Sequence, residues 1–136
     1  MSRSLLTRDK RTALDRWHAY GHAITRTAIG LQIMLVPDRS IGRRWFGSST
    51  ENAATRIAMR GMGAREMVLG LAIMRELSQK RSTRPLFVLC AFAETVDILG
   101  SLFGPSSFRR TPAVRVTMLA IAAVASGAYL TWRDDA

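Results

Sequence analysis

Four apolar stretches, separated by short polar segments, dominate the pattern of hydrophobic and polar positions along the chain. Their approximate bounds are residues 23–37, 56–76, 85–104 and 112–132. Pro85 and Pro112 stand at the starts of the third and fourth stretches, where a helix tolerates proline because the first amide groups need no intrahelical partner. Thr50 or Asn52 is suited to cap the second stretch. No alternating strand pattern is present, so the sequence predicts an all-α fold.

The N-terminal residues have a different, amphipathic pattern. Ala13, Trp17 and Tyr20 recur at helical spacing on one broad face, while basic residues occupy much of the rest. A basic helix with aromatic side chains on its apolar side is typical of a membrane interface, although the same pattern also fits a helix packed in a soluble core. The segment lacks the long apolar core of a cleaved signal peptide. We therefore divide the chain into an interfacial helix, residues 1–22, and a helical domain, residues 23–136.

The distribution of charge favours four membrane spans in that domain. Residues 116–132 contain no charge at all. Away from the ends of the apolar stretches, the charged residues are three arginines and three carboxylates that cancel, so the net charge of +10 lies in tails, loops and helix ends. A bilayer demands such a neutral interior. The mean hydropathy of +0.06 is low for four spans, so a soluble, basic helical bundle is the alternative.

Aromatic and basic residues at the borders of the stretches predict how the protein lies in a membrane. The expected interfacial anchors are Trp17, Tyr20, Trp45, Phe46, Tyr129 and Trp132. Lysine and arginine are more numerous near the two termini and in residues 75–84 than in the other loops. By the positive-inside rule, the sequence predicts a multi-pass protein of the bacterial inner membrane with both termini in the cytoplasm.

Charged residues within the apolar stretches mark the candidate site. They are Arg26, Arg60, Arg65, Glu66, Glu94 and Asp97. Each ionised group at the centre of a bilayer costs roughly 2.5–3.5 kcal/mol, so these groups are expected to face one another or a polar cavity. Glu94 and Asp97 share one helix face, and Arg60 or Arg65 is the simplest partner for them. The network either fixes helix packing or forms a proton relay, an anion site or a headgroup site.

A short motif within the second stretch resembles a known family. It comprises Arg60, Gly63, Ala64, Arg65, Glu66 and Gly70. The pattern resembles that of small integral membrane proteins catalogued as the domain-of-unknown-function family 4267, although Glu66 stands where the family usually has aspartate. The resemblance spans about residues 24–132 and implies a four-helix membrane protein, but it implies no activity.

Small residues and histidines give weaker signals. The expected helix-packing residues are Gly63, Gly70, Ala122, Ala123, Ser126 and Gly127. His18 and His22 are four residues apart, which is a metal-ligand spacing, but no other ligand lies nearby in the sequence, so no metal site is predicted. The single Cys90 excludes an internal disulfide and is expected to be a small buried residue.

These patterns favour a non-catalytic function. We expect a small accessory or structural subunit of a larger membrane complex, in which a buried arginine–carboxylate network fixes helix packing. The alternative is a small transporter or a lipid- or anion-binding protein that uses the same charges, and a membrane enzyme is a third hypothesis. No cofactor is predicted, although a bound lipid is compatible with the sequence. The expected partners are anionic lipid headgroups and other membrane subunits, and no nucleic-acid-binding motif supports DNA or RNA as a ligand.

Overall fold

The computed structural model describes residues 12–37, 52–103 and 110–135, and these residues form four α-helices. The helices are α1 (Ala13–Leu35), α2 (Ala53–Ser78), α3 (Arg84–Phe103) and α4 (Arg110–Asp135). The predicted all-α class with four helices is confirmed for this part of the chain. Helix α1 continues without a break across residues 22 and 23, where the sequence suggested that an interfacial helix meets a separate span.

Local signals in the sequence explain where the helices begin. Thr12 caps α1 in a reciprocal capping box, since its side chain accepts from the amide of Asp15 while the Asp15 carboxylate accepts from the amide of Thr12. Asn52, one of the two expected caps, accepts from the amide of Ala54 at 2.8 Å and starts α2. Pro85 lies in the first turn of α3. An N–H group there would have no acceptor within the helix, so proline is tolerated at this position.

The prediction of four membrane spans is wrong. Among the residues that the structure describes, no helix combines the length and the apolar character that a bilayer crossing requires. Helix α2 contains six charged side chains in 26 residues, and the apolar run of α3 from Pro85 reaches only nine residues before Glu94. Such a run rises about 14 Å, against the roughly 30 Å of a bilayer core. The predicted multi-pass location in the inner membrane, with cytoplasmic termini, is therefore also wrong.

Helices α1 and α2 pack with their backbones almost in contact, because glycines line the crossing. A Cβ atom built on Gly63 would lie 2.6 Å from the carbonyl oxygen of Gly30 and 2.8 Å from the amide nitrogen of Met34. A Cβ atom on Gly70 would overlap Thr27 Oγ1. Gly63 and Gly70 are thus at the helix contact where the sequence placed them, whereas the facing Gly30 was not anticipated.

An apolar core among the described residues joins this pair of helices to α3 and α4. Its buried members are Ala19, Ala23, Ile73, Leu77, Phe87, Cys90 and Leu130. Helix α3 packs mainly against α4, where Gly127 lies at ordinary contact distance from Phe87. Of the other small residues expected to pack on α4, Ser126 and Ala123 are partly buried and Ala122 is exposed.

The predicted aromatic anchors have different surroundings. Trp17 and Trp132 are largely exposed and Tyr129 is less so, whereas Tyr20 packs against the core. Trp45 and Phe46 lie outside the described residues. Because the prediction of membrane spans is wrong, the exposure of Trp17, Trp132 and Tyr129 needs an explanation other than the border of a bilayer crossing.

Candidate functional site

The centre of the candidate site is the buried guanidinium of Arg26, which α1 places between α2 and α3. Only 6% of Arg26 is exposed. Its Nη1 lies 2.9 Å from Glu66 Oε2 on α2. These two atoms form an ion pair, but their geometry is not that of a hydrogen bond. Its Nη2 forms an ion pair with Glu94 Oε1 on α3. One arginine therefore links carboxylates from two different helices.

A second arginine extends this network towards solvent. Arg65 on α2 binds both carboxylate oxygens of Asp97 on α3, with Nη2 2.6 Å from Oδ2 and Nη1 3.3 Å from Oδ1. The Nε and Nη2 groups of Arg65 also donate to Glu66 Oε1, at 3.2 and 3.0 Å. The hydrogen bonds to Asp97 raise the pKa of Arg65 above its ordinary value, although burial opposes this shift. Arg65 is therefore a permanent cation in this site.

Among the residues that the structure describes, the network contains one more carboxylate than arginines. Two of these guanidiniums face three carboxylates, which sum to −1 when all five groups are ionised. Within the described residues, the buried Oε2 of Glu94 has no hydrogen-bond partner. Burial raises the pKa of the neighbouring Cys90 thiol, which keeps that side chain neutral. Within the described part of the cluster, the carboxylate oxygen without a hydrogen bond therefore lies on its inner side, at Glu94.

The structure brings together five of the six charged residues that the sequence singled out. The exception is Arg60, whose side chain is exposed on α2. At 100° per residue, Arg60 lies about 140° around the helix from Arg65 and faces away from α3. The partner of Glu94 is instead Arg26, which is 68 positions earlier in the chain. Residue spacing within one helix could not reveal that pairing.

A second polar cluster, which the sequence did not predict, joins α1 to α4. The hydroxyl of Tyr129 donates to the buried Oδ1 of Asp15 at 3.1 Å. Ser126 Oγ lies 3.1 Å from His18 Nε2 and 3.5 Å from His22 Nδ1. The signal was present in the sequence, because Asp15, His18 and His22 recur at positions i, i+3 and i+7 of one helix face.

This second cluster does not have the composition of a metal site. Within residues 12–37, 52–103 and 110–135, no three histidine, cysteine, aspartate or glutamate side chains are close enough together to hold a metal ion. His22 instead packs edge-on against the ring of Phe87, with 5.4 Å between ring centroids. Burial, with smaller contributions from Arg26 and His18, lowers the pKa of His22 to about 4. The imidazole is therefore neutral at pH 7.

We expect this neutral histidine to make the fold sensitive to mild acid. Below the unfolded pKa of about 6.5, the unfolded chain gains a proton that the folded chain takes up only near pH 4. Stability is therefore complete above pH 6.5 and falls between pH 6.5 and 4. The difference between the two pKa values limits the loss in the free energy of unfolding to about 3 kcal/mol. Partial solvent access to His22 reduces this loss to roughly 1–3 kcal/mol.

Urea unfolding at pH 7.5 and pH 4.5 measures this effect. The variant His22→Gln, which cannot take up a proton, is expected to lose less stability on acidification than the wild type. His18→Gln, a change at the exposed histidine one turn earlier, is the matched control. Because it leaves His22 in place, it should still lose stability between pH 7.5 and pH 4.5. An identical acid sensitivity of His22→Gln and the wild type would contradict the assignment.

Comparisons of this chain with protein-family models, curated proteins and solved structures give no match. The resemblance to family 4267 therefore stays a prediction. Its motif residues have distinct places in the structure: Gly63 and Gly70 form the contact with α1, Arg65 and Glu66 belong to the ion-pair network, and Arg60 is exposed.

Proposed function

We propose that this protein is a non-catalytic accessory subunit that docks onto a larger protein through an apolar face of α3. The observation that supports the proposal is a stripe of large hydrophobic side chains that are about half or more exposed. The α3 stripe consists of Val88, Leu89, Phe92, Val96 and Leu99. From Leu89 onwards these residues recur every three or four positions, and Val88 is four positions before Phe92, so the five form one continuous face of the helix.

The opposite face of α3 is occupied within the chain itself. Phe87 and Cys90 belong to the core, and Glu94 and Asp97 pair with arginines of α1 and α2. The ion-pair network therefore fixes which face of α3 turns inwards and which face is presented outwards. Contiguous apolar patches on a protein surface mark interaction sites when they are large, because they gain free energy when a partner covers them.

The charges beside the stripe indicate the chemistry of the partner. Exposed Lys80, Arg81 and Arg84 precede its first residue, and the chain as a whole has a net charge of +10. A suitable partner segment is an apolar helix with acidic residues at the end that lies next to these cations. A second copy of this chain is a poorer match, since like charges would then oppose one another.

Affinity purification with two matched variants tests the proposal. Phe92 is 69% exposed and central in the stripe, whereas Ile57 is a similarly exposed apolar residue on α2 outside it. We expect Phe92→Ser to reduce partner recovery at least tenfold, because a buried aromatic anchor contributes about 2 kcal/mol or more to an interface. Ile57→Ser should leave recovery unchanged.

The partner must also have the predicted chemistry for the proposal to stand. Cross-linking from Lys80 is expected to reach acidic residues that flank an apolar helix of a stoichiometric partner. Equal recovery with both variants, or cross-links confined to a surface remote from α3, would contradict docking at the stripe. Circular dichroism of both variants excludes misfolding as the cause of a loss.

The alternative function, a transporter or a lipid- or anion-binding protein that uses the buried charges, has less support. Arg26 and Arg65 are already paired with Glu66, Glu94 and Asp97. An incoming anion would have to displace a carboxylate from each arginine in a cluster whose described groups already sum to a negative charge. The paired geometry therefore favours a network that holds helices in place.

A further inference from the structure

We propose that a groove between the start of α1 and the end of α2 binds a long-chain fatty acid. The groove has a volume of about 640 Å³, within the range typical of small-molecule sites. Leu77 and Tyr20 form its inner part, and Trp17 and Ile24 extend along its outer part. This site lies on α1, the end of α2 and the turn after it, away from the stripe on α3, and Lys80 is the residue that it shares with the proposed function.

The inner surface of the groove suits an acyl chain. Leu77 is 1% exposed and belongs to the core, whereas Trp17 is 76% exposed and Ile24 is more than half exposed. A single apolar chain lying between them would cover these two exposed side chains without disturbing the core. That burial favours binding in proportion to the apolar area removed from water.

The charges on the groove determine which head group it accepts. Arg16 and Lys80 contribute the only ionisable cationic groups to its lining, and the described lining contains no aspartate or glutamate. The exposed Lys80 has a long side chain that can keep its charged end in water while its stem borders the apolar surface. Lys80 also has a left-handed backbone, with φ of 53°, where the chain turns out of α2. A carboxylate at this end of an acyl chain is therefore complementary.

Other occupants fit the groove less well. A second copy of the chain would place its excess of positive charge against Arg16 and Lys80. A fatty alcohol has the same chain without the negative charge, and a fatty amine has the wrong sign. The proposal therefore predicts that head-group charge, as well as chain length, controls affinity.

Trp17 fluorescence reports binding directly, because this residue lines the groove. The chain has three tryptophans, so the protein for this experiment contains Trp45→Phe and Trp132→Phe. Titration with hexadecanoate below its aggregation concentration is expected to give a saturable blue shift with one site per chain. Hexadecanol should bind at least tenfold more weakly. A linear, unsaturable response, or equal binding of acid and alcohol, would overturn the proposal.

Two variants locate the site and its charge. Ala13→Phe fills the groove and is expected to abolish the shift, whereas Ala28→Phe, at an exposed position of α1 outside the groove, should leave it intact. Lys80→Gln should weaken hexadecanoate about tenfold and leave hexadecanol unchanged. If Ala13→Phe binds like Ala28→Phe, or if Lys80→Gln weakens both compounds equally, the groove is not the site. A Trp17 shift with anionic phospholipid vesicles that matches the shift with free hexadecanoate would also overturn the assignment, in favour of a lipid surface.

Discussion

Gly63→Ala is expected to lower the free energy of unfolding by about 3 kcal/mol, at the upper end of overpacking effects. The added methyl group would lie 2.6 Å from the carbonyl oxygen of Gly30 and 2.8 Å from the amide nitrogen of Met34. Both neighbours are backbone atoms of α1, so a change of side-chain rotamer cannot relieve the clash. The helices would have to separate, and separation would also strain Gly70 and the ion pairs between α1 and α2. Urea unfolding followed by circular dichroism measures the effect.

Gly61→Ala is the matched control for this experiment. Gly61 lies two residues earlier on the same helix, and a Cβ atom there would meet nothing within 4 Å. Since alanine favours a helix more than glycine does, this change is expected to stabilise the protein by up to about 1 kcal/mol. The same substitution should therefore lower the free energy of unfolding at Gly63 and raise it at Gly61. Destabilisation of similar size at both positions would show that α1 and α2 do not pack at Gly63.

The glycine contact shows which part of the packing the sequence could reveal. Small residues in a helical pattern identified Gly63 and Gly70 as packing positions, because a helix interior otherwise disfavours glycine. The same argument gave no reason to select Gly30, whose importance depends on the helix that faces it. The pattern of small residues also selected Ala122 as a packing position, although Ala122 is exposed. A pattern within one helix identifies a close approach but not the partner.

The wrong prediction of membrane spans has a related physical origin. Any low-dielectric interior, whether it consists of lipid or of protein, tolerates arginines and carboxylates whose opposite charges are paired. Arg26 meets Glu66 and Glu94 inside the helical bundle. The sequence predicted that these charges face one another, but charge balance alone could not distinguish a bilayer from a protein core. Residues 40 and 68 positions apart also cannot be paired from spacing.

Removing Arg26 is expected to destabilise the protein by about 3–5 kcal/mol, as for other buried ion pairs that lose one partner. Arg26→Met keeps much of the apolar stem and the volume but leaves Glu66 and Glu94 facing each other without their shared cation. Arg60→Met removes the same charge from an exposed position of α2 and should change stability by no more than about 0.5 kcal/mol. Urea unfolding at pH 7 compares the two. Equal effects would show that the buried network does not stabilise the fold.

The inner and outer halves of the network should differ in their contribution to stability. Arg65 and Asp97 are each about one-third exposed, so water screens their attraction and Asp97→Asn is expected to cost about 1 kcal/mol or less. Glu94 is buried, and Glu94→Gln removes one buried negative charge while keeping the shape of the side chain. In a double-mutant cycle, Glu94→Gln should therefore restore about 1–3 kcal/mol of the stability lost in Arg26→Met. Additive effects at Arg26 and Glu94 would contradict their direct pairing. A coupling confined to this inner pair would show that burial, rather than the number of ion pairs, determines how strongly the network holds α3 against α1 and α2.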